Sequence, residues 1–281
     1  MLFRSELLAE RKKYNNNVKP GRYRILARMN NNEFINLLRS GIQEPVQITF
    51  NNIRTKEQLV SRISGKIEAD SLSLLELLNK NDFLKKKYGL REENILTLFI
   101  PNSYQFFWNT SAEEFLDRMA KEYKAFWTPE KKSKARSIGL SQTEVSILAS
   151  IVQAEQSRYN EEKPVIAGLY INRLRKGMPL QSDPTLIYAI GDYTITKVLN
   201  EFKEIDSPYN TYKYTGLPPG PICLPEISSL DAVLNFNKND YLYMCAKDDF
   251  SCKHNFAKSL FQHNIFAQKF RQALNRNKIM H

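Results

Sequence analysis

Apolar positions recur along the chain in short blocks with the periods of helices and strands. Val18-Lys19-Pro20-Gly21-Arg22-Tyr23-Arg24-Ile25 reads as a turn at Pro20-Gly21 followed by a short strand. In residues 32–41, Phe34, Ile35, Leu37 and Leu38 stand at helical spacing behind an Asn cap, and Gly41 supplies the stop. Residues 46–50 alternate as a half-buried strand, and 55–67 and 71–78 read as two helices. The order strand, helix, strand between Arg22 and Phe50 fits a small α+β module. Asn15-Asn16-Asn17 and Asn30-Asn31-Asn32 read as polar turns.

Residues 95–108 form an apolar, aromatic connector. Ser111-Ala112-Glu113-Glu114 is a capping box that opens a helix carrying Phe115, Met119, Tyr123 and Phe126. Residues 128–137, with Pro129 and Lys131, Lys132, Lys134 and Arg136, form the boundary candidate, either a linker or another helical turn.

A second capping box, Ser141-Gln142-Thr143-Glu144, starts the segment most informative about chemistry. Leu148, Ile151, Val152 and Glu155 follow at spacings of three and four, so they share one helix face. A carboxylate that continues an apolar stripe is partly desolvated, its pKa rises, and an acid kept protonated can donate to a leaving oxygen. The same spacing fits a glutamate at the solvent end of the helix, since acidic residues are rarely buried outright.

A helix over 163–176 follows, with Pro164 in its first turn, Gly177 as its stop, and Asn172 and Arg173 read as solvent-facing. Ser182-Asp183-Pro184 is a turn in which Asp183 is expected to cap the helix beginning near Thr185. Ser207 to Ile222 is dense in Pro and Gly and reads as a stiff surface loop whose Tyr209, Asn210, Thr211 and Tyr212 suit sugar hydroxyls, or as an inert connection. Tyr241 to Cys245 and Cys252 to Phe256 form a hairpin around Lys247-Asp248-Asp249. His254 within it either touches substrate or is structural. Residues 259–274 close the pattern as an amphipathic helix.

Composition adds three constraints. With 281 residues the chain has room for two domains, and 42% hydrophobic and 25% charged residues are ordinary for a globular protein. The net charge of +11 favours polyanions or anionic membranes; nucleic acid, peptidoglycan and lipid headgroups all qualify. No window reaches the roughly 20 apolar residues of a membrane span, and no apolar run after Met1-Leu2-Phe3-Arg4 marks a signal peptide, so the chain as it stands reads as soluble. Cys223, Cys245 and Cys252 have no zinc-ligand spacing; Cys245 and Cys252 either face each other across the hairpin and oxidise or remain free thiols.

The motifs resemble those of the YceG-like endolytic murein lytic transglycosylases. The resemblance runs through Ala149-Ser150-Ile151-Val152-Gln153-Ala154-Glu155, Tyr170-Ile171-Asn172-Arg173-Leu174, Leu180-Gln181-Ser182-Asp183-Pro184-Thr185, Tyr209-Asn210-Thr211-Tyr212, Gly216-Leu217-Pro218-Pro219-Gly220-Pro221-Ile222 and His254-Asn255-Phe256. It implies an α+β fold, with a LysM-like subdomain in 1–54, a helical connector region in 55–137 and a transglycosylase domain in 138–281. Glu155 is the implied catalytic residue; Gln153 replaces a second acid that members often carry. Asn172, Gln181, Ser182, Asp183, Tyr209, Asn210, Thr211, Tyr212 and His254 are the implied sugar-holding positions, with no metal and no cofactor.

The implied substrate is the peptidoglycan glycan strand, cleaved between N-acetylmuramic acid and N-acetylglucosamine to leave 1,6-anhydro ends. Peptidoglycan synthases are left open as partners, nucleic acid is not expected, and the implied location is the envelope at the periplasmic face of the inner membrane. Family members usually begin with a membrane anchor, which is absent from this sequence. The rivals are a two-carboxylate muramidase, with Asp183 as the second acid, and a binding module for glycan without catalysis.

Overall fold

The computed structural model describes residues 2–195 and 198–277, with side chains from residue 5 onward; Met1 of the opening segment lies outside it. Helix α1 (Leu2–Arg11) packs on α2 (Asn31–Ser40). The Asn30 side chain and Glu33 form a reciprocal capping box at the start of α2, and Gly41 takes the left-handed conformation that ends it. Between α1 and α2 the strand expected after Pro20-Gly21 does not form. Val18, Ile25 and Leu26 are exposed there, so the segment has no apolar face to bury, and one backbone bond from Glu44 N–H to the Arg22 carbonyl takes the place of a ladder.

Strand β1 (Val46–Thr49) alternates in burial, and its partner is β2 (Ser103–Phe106), antiparallel, from the far side of three helices. Those helices are α3 (Lys56–Ser64), α4 (Ser71–Asn79) and α5 (Asn81–Tyr88), followed by a 3-10 turn at Ile95–Leu98. With α6 (Ala112–Phe126) they enclose a core in which Phe50 meets Phe99, Tyr104 and Phe115 ring against ring. This core runs from Val46 to Met119, across the position after residue 54, and then gains Leu224 from late in the chain.

Residues 128–137 are not a linker. Thr128 caps and Pro129 opens α7 (Pro129–Ile138), whose Ala135 and Ile138 face a second core. That core is organised around α8 (Gln142–Glu155), in which every residue from Val145 to Val152 is buried. Helices α7, α9 (Lys163–Arg175), α10 (Asp183–Ile190) and α11 (Ile227–Leu234) all pack against α8. Each of its fully buried Leu and Ile side chains contributes on the order of 1.5–3 kcal/mol relative to exposure. The chain closes with the hairpin β3 (Tyr243–Ala246) and β4 (His254–Ala257), backed by α12 (Leu260–Arg276). The fold is α+β: helices dominate and two small antiparallel sheets complete it.

The Pro/Gly segment before α11 is irregular as expected; Pro208 and residues 213–215 are exposed, but its later part leaves the surface. Pro218, Gly220, Pro221 and Ile222 are buried, and Ile222 N–H donates to Ser150 Oγ in the middle of α8 at 3.0 Å. A methyl group on Gly220 would stand 1.7 Å from the Glu93 carbonyl oxygen, so only glycine fits this crossing between the two cores.

Candidate active site

Glu155 is the last residue of α8. Gln156 turns the backbone to an extended conformation, so the helix stops where its apolar stripe reaches a cavity of about 270 Å³. Leu148, Ile151 and Val152 are fully buried below it. Tyr170 and Arg173 from α9, Gln181 and Asp183 at the start of α10, Tyr212 from the irregular segment and His254 from β4 line the same cavity.

Two donors converge on one oxygen of Glu155. Ser182 Oγ lies 2.5 Å and Tyr170 OH 2.7 Å from Oε1. Both bonds fall on Oε1, which leaves Oε2 for a proton and for substrate. Burial pushes the Glu155 carboxyl above the ordinary range; the bonds from Ser182 and Tyr170 pull it down without cancelling that rise, Asp183 adds to it, and His254 opposes it. The residue as a whole is half-buried, with protein crowding its carboxyl where it lines the cavity. Burial and the adjacent Glu155 push the Tyr170 hydroxyl far up, so it stays protonated and donates.

The support behind these groups is built from buried polar side chains. Ser182 N–H donates to Thr211 Oγ1 at 3.1 Å, Thr185 Oγ1 donates to the Ser182 carbonyl at 2.7 Å, and the two threonine hydroxyls lie 2.7 Å apart. Gln181 sits at φ 53°, a left-handed conformation that costs a non-glycine residue about 1–3 kcal/mol. Its N–H bond to the Thr211 carbonyl and the Arg173 guanidinium on its side chain, 3.1 Å away, hold it there. Arg173 is buried, not solvent-facing: its guanidinium also donates to the carbonyls of Leu242, Pro179 and Leu180.

Asp183 does not cap α10. It occupies the first turn, and its carboxylate accepts a hydrogen bond from Tyr212 OH instead. Burial, with that bond, pushes the Tyr212 hydroxyl well up, so Tyr212 remains the donor.

Of the residues expected to hold sugar, Gln181, Asp183, Tyr212 and His254 line the Glu155 cavity, and Ser182 bonds to Glu155 directly. The others lie elsewhere. Asn172 is half-buried and spends its amide on the carbonyls of Asn239 and Tyr241. Asn210 is fully buried; its amide donates to the Lys203 and Ile205 carbonyls and its oxygen accepts from Tyr212 and Lys213 N–H. Thr211 supports Ser182, and Tyr209 packs on Tyr188 with ring centroids 4.7 Å apart. Tyr170 and Arg173 were missed as site residues because Tyr170 continues an apolar stripe and Arg173 reads as a surface charge.

In the hairpin, Cys245 faces Asn255 rather than Cys252, and the three cysteines are free thiols. Among the described residues no group of three or more His, Cys, Asp or Glu is placed to hold a metal ion, and no helix is long and apolar enough to cross a membrane.

A desolvated carboxylic acid held by two donors at the mouth of a polar cavity is built for acid–base work. The chain belongs to the YceG-like family, whose model matches residues 2–269. It is 38% identical over 167 residues to an endolytic murein transglycosylase of Bacillus subtilis, covering 59% of this chain and 45% of that protein. It is 33% identical over 150 residues to an endolytic murein transglycosylase of Streptococcus pneumoniae, covering 52% of this chain and 27% of that protein. The chain thus matches less than half the length of these relatives. The crystal structure of a yceG-like protein from Listeria monocytogenes superposes with a TM-score of 0.66 at 29% identity, covering 92% of this chain and 89% of that one.

Proposed function

We propose that this chain cleaves peptidoglycan glycan strands internally by lytic transglycosylation, with Glu155 as the single acid and base. The observation that carries the reading is the Glu155 carboxyl itself: burial raises its pKa, and both hydrogen bonds to it fall on Oε1. Protonated Glu155 gives its proton to the glycosidic oxygen of the β-1,4 bond as that oxygen leaves C1 of N-acetylmuramic acid. The carboxylate so formed accepts the proton of the C6 hydroxyl while the C6 oxygen bonds to C1. The products are a 1,6-anhydro end and a new N-acetylglucosamine 4-hydroxyl, and Glu155 is protonated again. An internal nucleophile needs no activated water, so no second carboxylate is required, unlike most glycoside hydrolases.

In this reading Gln181, Tyr212 and His254, which line the cavity, hold the sugars, and Asp183, which accepts from the Tyr212 hydroxyl, orients Tyr212. The relatives' names support murein as the substrate and the cell envelope as the place of action. A working position at the periplasmic face, beside peptidoglycan synthases, belongs to the same proposal.

Asp183 lines the same cavity, which favours a two-carboxylate muramidase as the one rival. Digestion of purified peptidoglycan, with products read by mass spectrometry, separates them. Anhydro ends at the new termini support transglycosylation; reducing ends alone would establish hydrolysis instead.

A further inference from the structure

Glu162 has no part in the proton transfers above, yet it is 8% exposed and held by three hydrogen bonds. It stands at the cap position of α9 but makes no side-chain cap bond, so its carboxylate serves something other than the helix end. Its Oε1 accepts from the backbone N–H of His254 at 3.0 Å, and its Oε2 lies 3.0 Å from His254 Nδ1. Gln156, the residue after Glu155, donates to Oε2 at 2.8 Å and to the Cys252 carbonyl at 3.0 Å. The Gln156 oxygen in turn accepts from Arg158 and Tyr159 N–H. One buried carboxylate therefore clasps the end of α8, the start of α9 and the first residue of β4.

We infer that Glu162 is a positioning residue for the reaction proposed above: it fixes the His254 ring so that Nε2 faces the Glu155 cavity and accepts a hydrogen bond from a sugar hydroxyl. An ionised carboxylate only accepts, so the Nδ1 beside it carries the proton, and a neutral ring then presents Nε2 as an acceptor. Burial pushes the Glu162 carboxyl up, but the bonds from His254 N–H, the His254 ring and Gln156 outweigh it and leave the carboxyl below its ordinary range, which keeps it an acceptor. His254 lines the cavity that holds Glu155, and its ring is mostly covered, so a free swing to another orientation is closed off. The other polar groups around Glu155 are Tyr170, Ser182, Gln181, Asp183, Tyr212 and Arg173; the Asp183 carboxylate accepts from Tyr212 and the Gln181 oxygen from Arg173. With the proton on Nδ1 alone, His254 Nε2 adds an acceptor to this set.

The test combines a spectroscopic and a kinetic readout on the full chain. Nitrogen NMR of the imidazole should report the Nδ1–H form of His254 in the parent, and that form should be lost in Glu162→Gln. On purified peptidoglycan strands, Glu162→Gln and His254→Ala should each lower kcat/KM by roughly 10–100-fold, the range seen when an outer partner of a ligating imidazole is removed. The double variant should be no worse than His254→Ala, and Glu162→Asp should recover part of the loss. An Nε2–H form in the parent, unchanged activity in folded Glu162→Gln, or losses that add in the double variant would each overturn the role given to Glu162. The parent spectrum needs no turnover and no variant, and Glu162→Asp carries the comparison if Glu162→Gln fails to fold. Reducing ends from the parent would remove transglycosylation while leaving this positioning intact.

Discussion

Ser182 Oγ donates to Glu155 Oε1 across 2.5 Å, joining the third residue of one sequence motif to the last residue of another. The serine stabilises the ionised form of the acid. Removing it in Ser182→Ala should raise the Glu155 pKa further, because the bond that lowers it is gone while burial remains. The alkaline limb of the pH–rate profile should move to higher pH, and Tyr170→Phe should move it the same way. A limb that stays put in both variants would separate Glu155 from the titrating group.

Glu155→Gln should lower kcat on peptidoglycan by at least the roughly 10²–10⁴-fold attributed to a positioned acid–base group. Its effect on folding has a defined sign. The folded pKa of Glu155 lies above the unfolded one, so its contribution to stability is fully present below the unfolded pKa, about 4.3. That contribution is lost as pH rises through the raised folded value. Thermal unfolding across this range should therefore slope downward with pH in the parent and less steeply in Glu155→Gln. Equal slopes would mean that the carboxyl is not desolvated.

Asn210 separates a structural role from sugar binding. It is fully buried and its amide is saturated by backbone partners, so Asn210→Ala should cost about 2–3 kcal/mol of stability through the unpaired groups it leaves. Chemical denaturation measures this. A loss confined to KM, with stability unchanged, would return Asn210 to the substrate.

Gly220→Ala should destabilise by about 1–3 kcal/mol or more, since the added methyl meets the Glu93 carbonyl and backbone on both sides must shift. The readout is the midpoint of thermal unfolding; an unchanged midpoint would show that the crossing relaxes freely.

Local rules made much of this fold legible. The capping boxes at Ser111 and Ser141 open helices where their side-chain spacing says they should, and the hairpin forms around Lys247-Asp248-Asp249. Glu155 was visible as a carboxylate on an apolar stripe, though spacing alone could not say whether the stripe ended in protein or water. What sequence spacing could not carry were pairings between distant residues. β1 finds its partner 54 residues away, where Thr49 meets Ser103, so the front segment looked like a self-contained strand–helix–strand unit. Asp183 was read as a cap because its acceptor, 29 residues from the Tyr212 hydroxyl, looked free. Arg173 looked like a surface charge because its backbone acceptors come from turns on two other segments.

The late crossing of the chain also sets an order of events in synthesis. Leu224 sits inside the first core, and its N–H donates to the Ile53 carbonyl at 2.7 Å. A nascent chain that has emerged only as far as α6 has every helix of that core but lacks the residue that closes it. Leu224 and its bond to Ile53 become available only after the segment carrying Glu155, Ser182 and Tyr212 has been made. The same late stretch of chain thus supplies both the last residue of the front core and residues that line the Glu155 cavity.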